Sequence, residues 1–231
     1  MTIVRASASA IARFLRRFGG RAQREAEPGG GPRDGLACQQ RELVTRRIMS
    51  TIHNNSILLC GPPGGGKSAI LRDLKDRLSE GGGTSAFFPV YVNLRDITED
   101  VLFSTVSRAV FDQLQPENLK GPECTHTGYG HRDLAHDLRR IIRALKKREG
   151  GHPRLVLLVD GIDELNHYEP RTTQRLRSLF MMSLDGSLVM VATAVEIDRH
   201  WAEEGSPWYN FFEEFQLAPS AKDPRCDTSP G

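Results

Sequence analysis

Two stretches of this chain carry residues whose types and spacing suit phosphate chemistry. Residues 61–68 read Gly61-Pro62-Pro63-Gly64-Gly65-Gly66-Lys67-Ser68 and satisfy G-x-x-x-x-G-K-S/T at every fixed position. Glycines let the backbone turn its N–H groups inward around phosphate oxygens, and a helix that follows adds its positive N-terminus. Lys67 is placed to meet the β- and γ-phosphates of a nucleoside triphosphate, Ser68 to offer a hydroxyl to Mg²⁺, and Ala69 to complete the binding stretch. The second stretch is the apolar run 155–159, closed by Asp160 and followed by Gly161, Ile162, Asp163 and Glu164. An acid at the end of a buried strand suits a metal, so Asp160 is the second candidate ligand of Mg²⁺ beside Ser68. Asp163 or Glu164 could polarise an attacking water. The competing use for either is to cap the helix that starts near residues 169–171, and only geometry separates them. Thr193 ends another apolar run and is a candidate sensor of the γ-phosphate. Its hydroxyl could equally satisfy a strand-end backbone group.

These residues need rigid elements to hold them. Leu43, Val44, Ile48, Met49 and Ile52 recur at helical spacing over 37–53. A short apolar strand at 57–60 abuts Gly61, and Ile70, Leu71, Leu74 and Leu78 make one face of a helix over 68–79. A strand is expected at 87–94, where Pro89 argues for an edge or an early strand position. Helices follow over 98–114 and 133–148, separated by a polar loop at 115–130. Then come a strand at 155–159, apolar without alternation as in a strand buried on both faces, a helix at 172–182 and a strand at 188–192. Residues 199–213 read as partly helical and aromatic, and 215–217 as a fifth strand. Strands alternating with helices predict an α/β chain with a mostly parallel five-stranded sheet between two helical layers.

Composition excludes other classes. The apolar fraction is 39% and the charged fraction 26%, close to an average globular chain. No apolar run approaches the roughly 18 residues of a membrane span. Cys38, Cys60, Cys124 and Cys226 are scattered without a CxxC pair, which argues against a zinc ribbon or a disulfide scaffold. Cys124 and His126 lack further ligands nearby and read as loop residues. Residues 1–36 hold seven arginines against three acids, net +4, whereas the rest carries 24 bases against 26 acids, net −2. Ile3, Ile11, Phe14, Leu15 and Phe18 could share a helical face flanked by Arg13, Arg16 and Arg17. That pattern suits an organelle transit segment or a segment resting on an anionic membrane surface, but a basic flexible leader over 1–36 is the simpler reading. Without a secretory apolar region, a cytoplasmic protein is expected. The acidic balance of residues 37–231 disfavours direct DNA binding.

Taken together, the loop at 61–68, the segment LVLLVDGIDEL and the segment VMVAT resemble the AAA+/STAND ATPases, nearest to bacterial AAA-type ATP-binding proteins with an initiator-like ATPase domain. DGIDEL, with its small residue after the metal acid, also resembles NACHT-type NTPases. The segment Thr193-Ala194-Val195-Glu196 departs from them in lacking an arginine. The resemblance covers about residues 38–219 and implies a three-layer P-loop NTPase core of the additional-strand type, in which the strands bearing the two Walker motifs are not neighbours. It implies ATP and Mg²⁺ as cofactors and hydrolysis that is slow and drives a conformational or assembly switch. A non-hydrolysing nucleotide-gated interaction module and a DNA-associated initiator-like loader are the alternatives.

The domains expected are therefore the leader 1–36, an ATPase core 37–219 and a disordered tail 220–231. Such a core would lack the C-terminal lid domain and its arginine, unless a second copy or a partner chain supplies the lid or an arginine finger. Arg171, Arg175, Arg177 and Arg199 are candidate fingers toward a neighbouring subunit. Trp201, Trp208, Tyr209, Phe211 and Phe212 would pack beneath the last strand or form a docking face. The absence of an NKxD motif favours ATP over GTP.

Overall fold

A computed structural model describes residues 32–53, 55–80, 87–116, 119–121, 128–182 and 186–217. The amphipathic pattern near the N-terminus, the Cys124–His126 pair and the tail 220–231 lie outside them. Helix α1 (Pro32–Thr51) leads to strand β1 (Ser56–Cys60), helix α2 (Lys67–Glu80) and strand β2 (Phe87–Asn93). A 3-10 turn (Glu99–Val101) runs into α3 (Leu102–Leu114), which is followed by α4 (His131–Glu149) and β3 (Arg154–Asp160). A second 3-10 turn (Ile162–His167), α5 (Pro170–Met182) and β4 (Leu188–Ala194) come next, then a third 3-10 turn (Arg199–Ala202) and β5 (Phe212–Gln216).

The five strands form one sheet in the order β2-β3-β4-β1-β5, and every pairing is parallel. β1 and β3 are separated by β4, so the strands that carry the glycine loop and the acid are not neighbours. β2 is an edge strand, which is where Pro89 is tolerated.

Alternation along each strand divides the core into two layers. Leu58, Val90, Val92, Leu155, Leu157, Val159, Met190 and Ala192 join residues of α3, α4 and α5 in one buried cluster. Ile57, Leu59, Val156, Leu158, Val189 and Val191 are also buried, on the opposite side of their strands. α2 packs on β2, β3 and β4, and its Ile70, Leu71, Leu74 and Leu78 are no more than 1% exposed. Side chains buried to that degree contribute ~1.5–3 kcal/mol each. The architecture is an α/β P-loop NTPase core with helices on both faces of the sheet.

Most boundaries shift by one or two residues, and two differ by more. α1 begins at Pro32, inside the stretch assigned to the leader; proline suits a first helical turn because its missing N–H would find no intrahelical partner there. β5 begins at Phe212 and ends at Gln216, not 215–217. The charged pair Glu213-Glu214 hides it in the sequence. In the structure Phe212 enters an aromatic stack, while Phe215 lies under the Arg47 guanidinium, 5.8 Å from ring centre to Cζ.

The outer edge of β2 is occupied by a side chain. Gln113 of α3 accepts from the Tyr91 N–H at 3.0 Å and donates to the Tyr91 carbonyl at 2.7 Å.

A charge network joins α1 to α2. Arg77 donates to Glu42 at 2.5 and 3.2 Å and to Asp73 at 2.9 Å, and Arg46 donates to Glu42 at 2.6 Å. The hydrogen bond from Arg77 chiefly holds the Glu42 carboxyl below the ordinary glutamate range, despite some opposing burial. A depressed folded-state value means the contribution is present above the unfolded-state value and is lost as pH falls through the folded one. Glu42→Gln is therefore expected to destabilise the chain at pH 7, with a penalty that shrinks as pH drops below the ordinary glutamate range. Urea denaturation of both proteins from pH 7 to pH 3 measures this.

Candidate functional site

Parallel register brings the strand ends together. Asn93 lies beside Asp160, Asp160 beside Thr193, and Ala194 beside Cys60, which is joined directly to Gly61. Ligands of parallel α/β sheets sit beyond the carboxyl ends of the strands, and residues 61–69, Asp160, Asp163, Glu164 and Thr193 lie there or on the segments that follow.

The loop from Gly61 to Gly66 bends through positive φ at Gly64 (+77°) and Gly66 (+83°), a region that favours glycine. A Cβ on Gly61 would stand 2.8 Å from the Leu217 carbonyl oxygen, and one on Gly66 would stand 3.3 Å from the Arg41 side chain. The Gly65 N–H returns to the Pro62 carbonyl at 3.1 Å, and the Ile70 N–H bonds the Gly66 carbonyl at 3.0 Å as α2 begins. Lys67 folds back over the loop, its Nζ donating to the Gly61 and Pro62 carbonyls at 2.6 and 2.9 Å. Burial pulls its ammonium below the ordinary lysine range. The Arg95 charge adds to that, and Asp163 and Asp160 oppose it.

Asp160 is 4% exposed. A carboxylate so buried needs donors on both oxygens, and it has them. Thr193 Oγ1 donates to one oxygen at 2.6 Å and the Tyr91 hydroxyl to the other at 2.8 Å. Ser68 and the charge of Arg95, 3.9 Å away, further favour its ionised form. Burial pushes the carboxyl up, but Ser68, the bonds from Thr193 and Tyr91, and the Arg95 charge outweigh it and leave the group below the ordinary aspartate range. Ser68 and Asp160 thus present adjacent hard oxygen donors, a pairing that suits Mg²⁺. Thr193 also accepts from the Gly161 N–H at 3.2 Å, so the strand-end role foreseen for its hydroxyl is filled together with the bond to Asp160.

The two acids beyond Asp160 behave differently. Asp163 accepts from the Val195 N–H at 3.3 Å, tying the 3-10 turn to the end of β4. Glu164 makes no side-chain hydrogen bond or ion pair among the described residues and is half-buried. Neither caps α5. That place belongs to Glu99, which accepts from the Glu169 N–H at 3.0 Å and from Thr172 Oγ1 at 2.5 Å.

Among the arginines offered as fingers, Arg177 is committed within the chain. It donates to the Ser206 and Tyr209 carbonyls at 3.3 and 3.4 Å and lies over Phe211. Arg171, Arg175 and Arg199 are exposed. Trp201, Trp208 and Phe212 stack with ring centres 5.2–6.4 Å apart, and Phe211 meets Trp208 and Phe212 edge-on. This is packing under the last strand. Tyr209 stays 38% exposed. Cys60 is not a nucleophile in waiting, since burial and the nearby Glu214 push its thiol up to about 11.

Tyr91 and Arg95 were not singled out by the sequence. The available signal was their place on and just after β2, because the glycine loop and the acid end their strands at the same sheet edge.

The AAA domain family matches residues 51–199 of this chain. No curated protein matches it in sequence. Among solved structures, the Aeropyrum pernix ORC1 protein in complex with DNA aligns with a TM-score of 0.55 at 21% identity, over 78% of this chain and 45% of that one. The Drosophila ORC bound to DNA aligns with a TM-score of 0.52 at 13% identity, over 80% of this chain and 94% of that one. Cdc6p from Pyrobaculum aerophilum gives a TM-score of 0.51 at 16% identity, over 84% of this chain and 48% of that one. The chain spans about half the length of the archaeal proteins it resembles. At these identities the likeness is one of fold. No helix of the described residues is long and apolar enough to cross a membrane.

The double use of Thr193 gives a test. Thr193→Val removes a donor from Asp160 and the acceptor of a buried N–H, and is expected to cost about 1–3 kcal/mol. Thr193→Ser should restore most of it in urea denaturation.

Proposed function

The chain belongs to the AAA domain family, and from that premise we propose that it binds ATP with Mg²⁺ across residues 61–69 and Asp160, and uses slow hydrolysis as a conformational or assembly switch. The observation that carries this reading is the convergence of Lys67, Ser68, Asp160 and Thr193 at one sheet edge, with a glycine loop leading into the N-terminus of α2. Loop N–H groups and the helix end would receive the phosphates, and Lys67 would exchange the carbonyls of Gly61 and Pro62 for the β- and γ-phosphates. Ser68 and Asp160 would hold Mg²⁺, which when bound neutralises phosphate charge and orients the terminal group. Glu164, without a side-chain partner among the described residues, is the better candidate to polarise the attacking water, with Asp163 fixing the turn that carries it. Thr193 would report the state of Asp160 along β4, a sensor acting through that carboxylate.

The STAND-like role, an arginine finger or lid from a second copy or a partner chain, and a cytoplasmic setting belong to this proposal as well. Arg171, Arg175 and Arg199 remain the candidate fingers. A second reading is a DNA-associated loader subunit. It draws on the fold likeness to initiators solved on DNA, against which the net charge of −2 carries little weight by itself.

Lys67→Ala is expected to abolish binding of ATP and ADP in calorimetric titration; unchanged affinity would remove the site assignment. Glu164→Gln is expected to hold ATP while phosphate release falls by about 100-fold or more. Asp163→Asn should release phosphate faster than Glu164→Gln. The opposite order would assign the base to Asp163.

A further inference from the structure

Arg95 stands two residues beyond β2, and its backbone is fixed on both sides. The Leu94 N–H donates to the Asp160 carbonyl at 2.9 Å, the Leu94 side chain is buried, and the Arg95 N–H donates to Asn93 Oδ1 at 3.1 Å. The Ile97 N–H closes the turn on the Leu94 carbonyl at 3.1 Å. The stem of Arg95 lies over Gly161, where φ is +79°, and a Cβ at that position would come within 2.9 Å of Arg95 Cγ. The absent side chain at residue 161 thus makes the channel through which Arg95 reaches the site. Its guanidinium is anchored far less firmly than its stem. The side chain is 54% exposed, and its contact with Asp160 is a 3.9 Å ion pair, longer than a hydrogen bond.

Lys67 Nζ rests on the Gly61 and Pro62 carbonyls at the glycine loop, while the Arg95 guanidinium rests beside Asp160. Two cations therefore flank the place where a terminal phosphate would come, one rising from the glycine loop and one descending from the edge strand. Such an arrangement is repulsive without an anion and becomes favourable when one enters. A planar guanidinium fork suits phosphate oxygens better than a single carboxylate oxygen at 3.9 Å.

We propose that Arg95 is a γ-phosphate-reading residue supplied by the chain's own edge strand, which rests against Asp160 and moves to the terminal phosphate when ATP is bound. The inference rests on the phosphate site proposed above and goes beyond it by giving this chain a means of distinguishing ATP from ADP that needs no arginine from a neighbour. A guanidinium serving only to neutralise Asp160 would support the two nucleotides alike.

Calorimetric titration of the full chain with β,γ-imido-ATP and with ADP, both with Mg²⁺, tests it. Arg95→Ala is expected to weaken the ATP analogue by about 10- to 100-fold, the loss of a charge-assisted hydrogen bond to phosphate. ADP affinity should change by less than about threefold. Arg95→Lys keeps the charge without the fork and should fall between the two, which guards against a folding defect in the alanine variant. Equal losses for both nucleotides, or no change for the analogue, would overturn the proposal while leaving the phosphate site intact. Failure of the unaltered chain to bind ADP would overturn the site and Arg95's role together.

Discussion

The burial of the Asp160 carboxylate at the end of β3 is the constraint on which the rest of the site depends. A negative charge almost removed from water is tolerable only with donors arranged around it, and each donor comes from a different element. Tyr91 comes from β2, Ser68 from α2, Thr193 from β4, and Arg95 from the segment after β2. Satisfying one carboxylate therefore fixes the relative positions of the edge strand, the phosphate loop and the neighbouring strand. The sheet register that aligns Asn93, Asp160 and Thr193 is the backbone counterpart of that arrangement.

A site built this way has a built-in response to ligands. Ser68 stands by the same carboxylate that would share a metal with it, and Lys67 spends its ammonium on loop carbonyls. Both groups have provisional partners, so binding would exchange contacts rather than create order from nothing. Limited reorganisation of this kind is how rigid scaffolds keep polar groups ready without leaving them unsatisfied.

Much of this was readable from residue order because the relevant signals are local. Gly64 and Gly66 are demanded by backbone angles, Lys67 and Ser68 stand at fixed offsets from them, and Asp160 ends an apolar run. Helices and strands with one strong period, such as α2 and β3, were equally plain. What escaped depends on pairing across distance. Tyr91 and Arg95 meet Asp160 only because β2 lies in parallel register with β3, and neither segment alone says which distant strand it will pair with. Glu99 takes over the start of α5 from about 70 residues upstream, which is why the nearer acids looked like caps. Asp163 and Glu164 have the same chemistry and adjacent positions, and only the Val195 N–H distinguishes them. β5 is hard to place from sequence because two adjacent glutamates look like a solvated turn, whereas in the strand Phe212 and Phe215 face opposite sides.

The Gln113 amide on the flank of β2 has a consequence for how this domain meets others. Residues two apart on a strand turn their N–H groups to the same side, so the outward place at Pro89 has no hydrogen to offer, and the next, at Tyr91, is already taken by Gln113. An incoming peptide would find neither of these rungs free. Strand exchange and amyloid-like stacking are thereby discouraged along this margin, and neighbours approaching the β2 side must recognise side chains rather than splice themselves onto the sheet.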